Sequence, residues 1–220
     1  MVMKKEQLTW ENIRNLEEHH ITYLLYKEGK SIETISAIRR MDKNEVEKQI
    51  IKAKIDLNSN IENDLLINVI SMNKEERLKY INGMNDSDKE KLIKQIMRRY
   101  TKFKNTEDRM ILIWLIGELK DIRLLPYLRM ELKSNSVNRR RLVCSALGKL
   151  KAVEGKKWLE EALDDKNPQV RQYAVKALKD IGDENTIEKI KRLLNNYSEK
   201  EYVKRAAENT IEEIKKKLVR

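Results

Sequence analysis

Few side chains in this 220-residue sequence are suited to chemistry by type and spacing. Its two histidines, His19 and His20, are adjacent. Successive residues of a helix are turned about 100° from one another, so the pair should point in different directions. Neither imidazole is then expected to share an ion with the other, and a surface or capping role follows. The single cysteine, Cys144, excludes an internal disulfide framework. With only two histidines beside it, a Cys/His zinc site cannot be assembled. Cys144 falls within a helical stretch and reads as a small core residue. No glycine-rich loop is present to cradle a phosphate, and no Ser or Cys nucleophile stands near a readable base. The sequence therefore implies no catalytic residue, cofactor or metal. What remains is a polar set, Lys43, Asn44, Glu47, Lys48 and Lys52. Its lysines and asparagine suit phosphate oxygens or base edges.

The elements that must carry these residues are helical. The composition is 40% hydrophobic, 38% charged and 5% aromatic, with six glycines and two prolines. So few turn residues cannot serve a hairpin-rich fold, which points to helices joined by short polar turns. The first residues, Met1 to Glu6, turn polar at once, without the apolar core of a secretory signal. The densest apolar run, Met110 to Ile116, is far short of the ~20 residues that span a bilayer. A cytoplasmic location is the default expectation. The net charge of +11 allows an acidic partner without demanding one.

Three helices are expected between Leu8 and Asp56. Thr9 can cap the first, with Trp10 stapling it, and Ile21, Leu24 and Leu25 form a stripe that stops at Gly29. Ser31 can cap the second, which carries Ile32, Ile35 and Ile38 on one face. Asp42 and Glu45 read as a capping box opening a third helix, whose inner face is Val46, Ile50 and Ala53. Two or three further helices should follow, broken at Ser71-Met72-Asn73 and at Asn85 to Asp88. The organisation expected is a head over 1–56, a helical connector over 57–104 and a repeat region over 105–220.

The repeat is the strongest pattern in the chain. Leu115-Ile116-Gly117-Glu118-Leu119 recurs as Ala146-Leu147-Gly148-Lys149-Leu150 and as Ala177-Leu178-Lys179-Asp180-Ile181, each 31 residues on. Leu128, Leu159 and Ile190 keep the same register, as do Leu132, Leu163 and Leu194, and Arg109, Arg140 and Arg171. A last copy is displaced by two more residues, so that Lys204 falls in the arginine position. Each unit holds two helical patterns, and one helix pair cannot bury its own apolar stripe. Neighbours must stack, giving a short α-solenoid closed by a final helix over about 199–218.

Asn167-Pro168-Gln169-Val170-Arg171, followed by Ala174, Ala177 and Leu178, resembles a HEAT repeat, particularly the short HEAT-like repeats of phycobilisome lyases. The resemblance implies a solenoid whose second helices line a concave face and whose repeated arginine ladders between neighbours. Arg109, Arg140, Arg171 and Lys204 occupy that slot. Such repeats serve as scaffolds, substrate clamps and nucleic-acid binders alike. Residues 29–46, with Ser31, Ile35, the small Ser36, Asp42 and Val46, are similar to the helix-turn-helix of sigma-factor region 4. Arg40 stands where that family often has a turn glycine, and Arg39 where an apolar residue is common.

The helix-turn-helix resemblance makes Lys43, Asn44, Lys48 and Lys52 candidates for DNA contact from a recognition helix. The charge of the head argues the other way. Residues 1–56 hold 11 Lys and Arg against 10 Asp and Glu, and Glu45 and Glu47 would repel phosphates. The excess positive charge lies further on, at Arg98-Arg99, Lys102 and Lys104, at Arg139 to Arg141, and at Lys149, Lys151, Lys156 and Lys157. Along the second helices, equivalent positions read Arg129, Glu160, Lys191 and then Lys133, Asp164, Asn195. Alternating sign suits a protein surface better than a nucleic-acid backbone. The expected function is a non-enzymatic scaffold binding a protein partner, linked to transcription if the head binds DNA. The alternative is a DNA- or RNA-binding protein acting through its basic surface. A DNA glycosylase built from HEAT-like repeats is a smaller variant of that alternative, although its acidic residue and aromatics cannot be located here.

Overall fold

The computed structural model describes residues 8–57 and 64–219; Met1 to Glu6, read above for a targeting signal, lie outside them. Every regular element among the described residues is helical. None is long and apolar enough to cross a membrane. The chain divides into two compact units, Met1–Leu112 and Ile113–Arg220.

The first unit opens with a short 3-10 turn, Trp10–Asn15, and not with the α-helix expected after Thr9. Thr9 makes no side-chain cap bond, and no residue of the turn is buried. Trp10 is 37% exposed, and its indole N–H donates to the Glu28 carboxylate. Without an apolar stripe to bury, nothing offsets the entropic cost of nucleating an α-helix there. Helix α1 (Glu18–Lys27) follows. It ends at Gly29, whose φ of +83° lets the Lys30 amide reach back to the Leu25 carbonyl at 3.3 Å. Helix α2 (Ile32–Arg39) is capped by Ser31, which accepts from the Thr34 amide. Helix α3 (Lys43–Asp56) is capped by Asp42, which accepts from the Glu45 amide at 2.9 Å.

The α2–α3 turn is left-handed at Arg40, with φ 53° and ψ 44°. Its non-glycine residue is held by two bonds: the Met41 amide donates to the Ser36 carbonyl at 3.2 Å, and the Ser36 hydroxyl donates to the Met41 carbonyl at 2.6 Å. Arg39 pairs with Glu18 at the start of α1, which gives its charge a partner. Leu25, Tyr26, Ile35, Val46 and Ile50 form the core of the three helices. Ile38, expected on the inner face of α2, is 53% exposed. The helix ends one residue later, and its last turn runs past the core.

Helices α4 (Leu65–Ser71), α5 (Lys74–Asn82) and α6 (Asp86–Arg99) follow within the same compact unit, with breaks where the polar runs placed them. Asn73 and Glu76 close a reciprocal capping box on α5. Arg77 is buried, and its guanidinium donates to the carbonyls of Val69 at 3.0 Å and Ile70 at 3.3 Å, the last turn of α4. Burial presses the Arg77 pKa below its ordinary value. Tyr26, Lys54 and Asp108 form a buried polar cluster in this unit. The Tyr26 hydroxyl and the Lys54 ammonium both donate to Asp108 Oδ1, at 2.9 and 2.8 Å. Burial and the facing Asp108 raise the Tyr26 phenol above its ordinary pKa.

Helix α7 (Thr106–Leu119) carries the division between the units. In the second unit follow α8 (Leu125–Leu132), α9 (Val137–Leu150), α10 (Lys156–Glu161), α11 (Pro168–Leu178), α12 (Glu184–Asn195) and α13 (Glu201–Leu218). This unit is a solenoid-like stack. Helices α9, α11 and α13 pack in succession, while α8, α10 and α12 each pack on the helix that follows. Leu128, Leu159 and Ile190, at one repeat position, are all fully buried. The glycines of the repeated motif set the spacing of the first layer. A Cβ on Gly117 would lie 3.0 Å from the Ala146 Cα, and one on Gly148 would lie 3.0 Å from the Ala177 Cβ and 3.1 Å from its Cα. The atoms met are backbone or Cβ, which cannot swing aside. Gly148→Val is therefore expected to destabilise the protein by about 2 kcal/mol, read as a lower midpoint of thermal unfolding. Gly29→Ala, at an open position where only φ is strained, should cost less.

Candidate functional site

The α3 residues chosen as DNA contacts share an exposed side of the helix but are not equally available. Lys43 Nζ lies 2.9 Å from the Glu33 carboxylate, with both side chains more than half exposed. That bond holds the Glu33 carboxyl well below its usual range, at about 2. Lys52 Nζ lies 3.8 Å from Glu17. Asn44 and Lys48 are exposed, and so are Glu47 beside them and Ile55, at 60%, further along the helix. The face is thus mixed in sign and partly apolar.

The arginine register shows a repeated pattern of hydrogen bonds. Each arginine donates to the carbonyl six residues before it: Arg109 to Phe103 and Arg171 to Asp165, both at 2.6 Å, and Arg140 to Ser134 at 2.8 Å. Arg140 and Arg171 use the other arm of the fork on a carboxylate in the turn ahead of the next helix pair. Arg140 bonds Asp165 at 2.6 and 3.0 Å, and Arg171 bonds Glu199 at 2.6 Å through both nitrogens. The equivalent of Asp165 one repeat earlier is Ser134, so the acid of the register is not repeated ahead of Arg140, and Arg109 has different surroundings. Its guanidinium lies 4.7 Å from the centre of the Tyr100 ring. Lys204, half-buried, adds its charge to the surroundings of Glu199.

Burial opposes ionisation of Asp165, but the Arg140 fork and the Asn167 amide outweigh it and leave the carboxyl below its ordinary pKa. Glu199 is depressed in the same manner, burial being overcome by Arg171 and the Lys200 amide. A carboxylate with a lowered folded-state pKa stabilises the fold fully above its unfolded value, and that contribution disappears as pH falls through the folded value. Arg140→Gln, which leaves Asp165 without its fork, should cost about 2 kcal/mol at neutral pH. Unfolding of the wild type should ease as pH drops below about 4. The variant should show a shallower dependence over that window, measured by denaturant titration at stepped pH.

Several members of the basic clusters are paired, while Arg98, Lys102, Lys104 and Lys157 are exposed. Arg99 binds Asp64 through one nitrogen at 2.7 and 2.6 Å. Arg139 pairs with Glu131 at 3.1 Å, and Arg141 donates to the Tyr173 hydroxyl at 3.1 Å. Lys149 pairs with Glu118 and Lys156 with Asp183, and Lys151 lies 2.8 Å from Asp180. Glu160, expected among alternating charges on an open face, is instead buried. It accepts from the Thr186 hydroxyl at 2.6 Å and the Lys189 ammonium at 2.5 Å. Trp158 is half-buried with the Arg129 guanidinium 5.4 Å from its ring centre. Cys144 is fully buried, and burial pushes its thiol up to about 12, which keeps it unreactive.

The histidines depart furthest from expectation. Both are 4% exposed, and their ring centres lie 4.1 Å apart. Cβ vectors of adjacent residues diverge, but an imidazole reaches well beyond its Cβ, and both rings come together beside the end of α3. His19 Nε2 lies 2.6 Å from Asp56 Oδ2. Burial and the neighbouring His19 lower the His20 pKa below its ordinary value. Neither Asp56 nor the acids of the arginine forks stood out from spacing. Asp165 has a faint signal, lying two residues before the Asn167-Pro168 helix start; Asp56, 37 residues from His19, has none.

Residues 128–212 match the family of HEAT repeats. The matched stretch runs from α8 into α13 and contains the forks of Arg140 and Arg171. No curated protein matches the chain.

Proposed function

We propose that this chain is a non-enzymatic scaffold that binds a protein partner through its HEAT-like repeats. HEAT repeats commonly mediate protein–protein interaction, and stacked helical repeats offer extended surfaces suited to it. The observation that carries the reading is the contrast between occupied charges and exposed apolar side chains in the second unit. Several of the basic residues, Arg140, Lys149, Lys151 and Arg171, pair with the chain's own carboxylates, which lowers their availability to a phosphate backbone. Ile122 and Val153 stand 31 residues apart, 60% and 68% exposed. Each begins the 3-10 turn between two helices of a repeat, two residues after a lysine in left-handed conformation, Lys120 or Lys151. The partner implied has a small apolar contact framed by charges of both signs.

A second reading, DNA contact by the head, draws on the exposure of Asn44 and Lys48 in the first turns of α3. It would add a link to transcription. Glu47 and the Lys43–Glu33 pair weigh against it.

The test is affinity capture with the full chain, compared with the Ile122→Glu plus Val153→Glu variant. A specific protein should be retained by the wild type at moderate salt and lost by the variant, whose circular dichroism should be unchanged. Retention of DNA that weakens steeply with salt, and falls further with Lys43→Glu plus Lys48→Glu, would replace the scaffold reading with the second one. Release of abasic product from alkylated DNA would make the protein an enzyme.

A further inference from the structure

The buried histidine pair has a chemistry that neither the repeats nor the α3 face uses. His19 and His20 enter from the first turn of α1, and Asp56 closes α3. One ligand atom from each of the three lies within 4.8 Å of the others. His19 Nε2 and Asp56 Oδ2 are already 2.6 Å apart. His20 supplies the second observation. Its side chain is 4% exposed, and both ring nitrogens are buried without a hydrogen-bond partner among the described residues. A buried polar group left unpaired costs about 1–3 kcal/mol, so an imidazole with two empty nitrogens is a poor choice for packing alone. An apolar ring would fill the space without that cost.

From this geometry we infer a binding site for one divalent transition-metal cation, of the zinc class, held by His19, His20 and Asp56. Two imidazole nitrogens and one carboxylate oxygen form a donor set that suits zinc, cobalt or nickel better than calcium or magnesium. Tetrahedral bonds of about 2.0–2.2 Å set ligand atoms about 3.3 Å apart, so the His19–Asp56 pair would open from 2.6 Å while the wider spread to His20 closes, changes within reach of side-chain rotation. Glu17 Oε2 lies 3.5 Å from His19 Nδ1. A proton held on that nitrogen leaves Nε2 free to face the ion, the usual role of a carboxylate behind a ligating histidine. The ion would join the beginning of α1 to the end of α3. Metal binding would thereby stabilise the three-helix head by mass action.

The test uses tag-free protein stripped with a chelator and titrated separately with Zn²⁺ and Co²⁺. Calorimetry should give one equivalent of Zn²⁺ per chain, and Co²⁺ should develop visible d–d absorption that Zn²⁺ removes. Saturating Zn²⁺ should raise the thermal unfolding midpoint. His20→Phe, which preserves the ring volume, should weaken Zn²⁺ binding by about tenfold or more and abolish the midpoint shift. Asp56→Asn should do the same while keeping a hydrogen-bonding group beside His19, which provides a second variant if the first fails to fold. The inference is overturned if the stripped protein takes up no stoichiometric Zn²⁺ or Co²⁺. It is equally overturned if binding persists with unchanged affinity in whichever variants fold.

Discussion

Close approach of successive first helices is the constraint on which the repeat unit depends. Gly117 faces Ala146 and Gly148 faces Ala177, with no room for another carbon between the backbones. Glycine inside a helix costs about 1 kcal/mol relative to alanine. That cost is outweighed here, because the approach lets Val143, Leu147, Val175 and Leu178 become fully or almost fully buried, each contributing about 1.5–3 kcal/mol. Helices held this near leave little space for polar groups between them. The arginines accordingly act at the ends of the layer, where turn carbonyls and turn carboxylates converge on one fork.

Charge burial follows one rule in both units: a buried ion is met by an opposite charge or by free helix-end carbonyls. Arg77 takes the carbonyls of α4, Lys54 and Tyr26 share Asp108, and Arg140 and Arg171 take Asp165 and Glu199. Removing one partner from such an arrangement leaves the other stranded in a poor solvent, so these contacts specify geometry as much as they add stability. Against that rule, the two empty nitrogens of His20 stand out. An imidazole with both nitrogens unused at that depth is a local feature that packing does not explain.

Pairing also governs what the surface can do. A formal charge of +11 allows an affinity for polyanions, yet Arg99, Arg139, Arg140, Lys149, Lys151 and Lys156 pair with acids of the same chain. Glu118, Lys149 and Asp180 occupy one repeat position and alternate in sign, with Lys149 bonded to Glu118. Surface pairs of this kind contribute little stability, about 0–1 kcal/mol. Their larger effect is on charge: a lysine met by an acid of the preceding repeat presents a neutral pair and not a lone cation.

Periodicity in the sequence was enough to determine the all-helical class, the 31-residue register, the caps at Ser31 and Asp42, the left-handed stop at Gly29 and the inner face of α3. All of these depend on interactions within a few residues or on a repeated spacing, and both are written linearly in the chain. Only the tertiary structure decided the rest. It exposed Ile38, made the stretch after Thr9 a 3-10 turn ahead of a first helix that begins only at Glu18, buried Glu160, gave Arg140 and Arg171 their acids and brought His19 and His20 together beside Asp56. Each of those outcomes turns on groups from different elements meeting at separations of 25 residues or more, or on which stripe finds a core to cover it. Local pattern carries the direction of a side chain from its own helix axis; it does not carry what the neighbouring element places in its path.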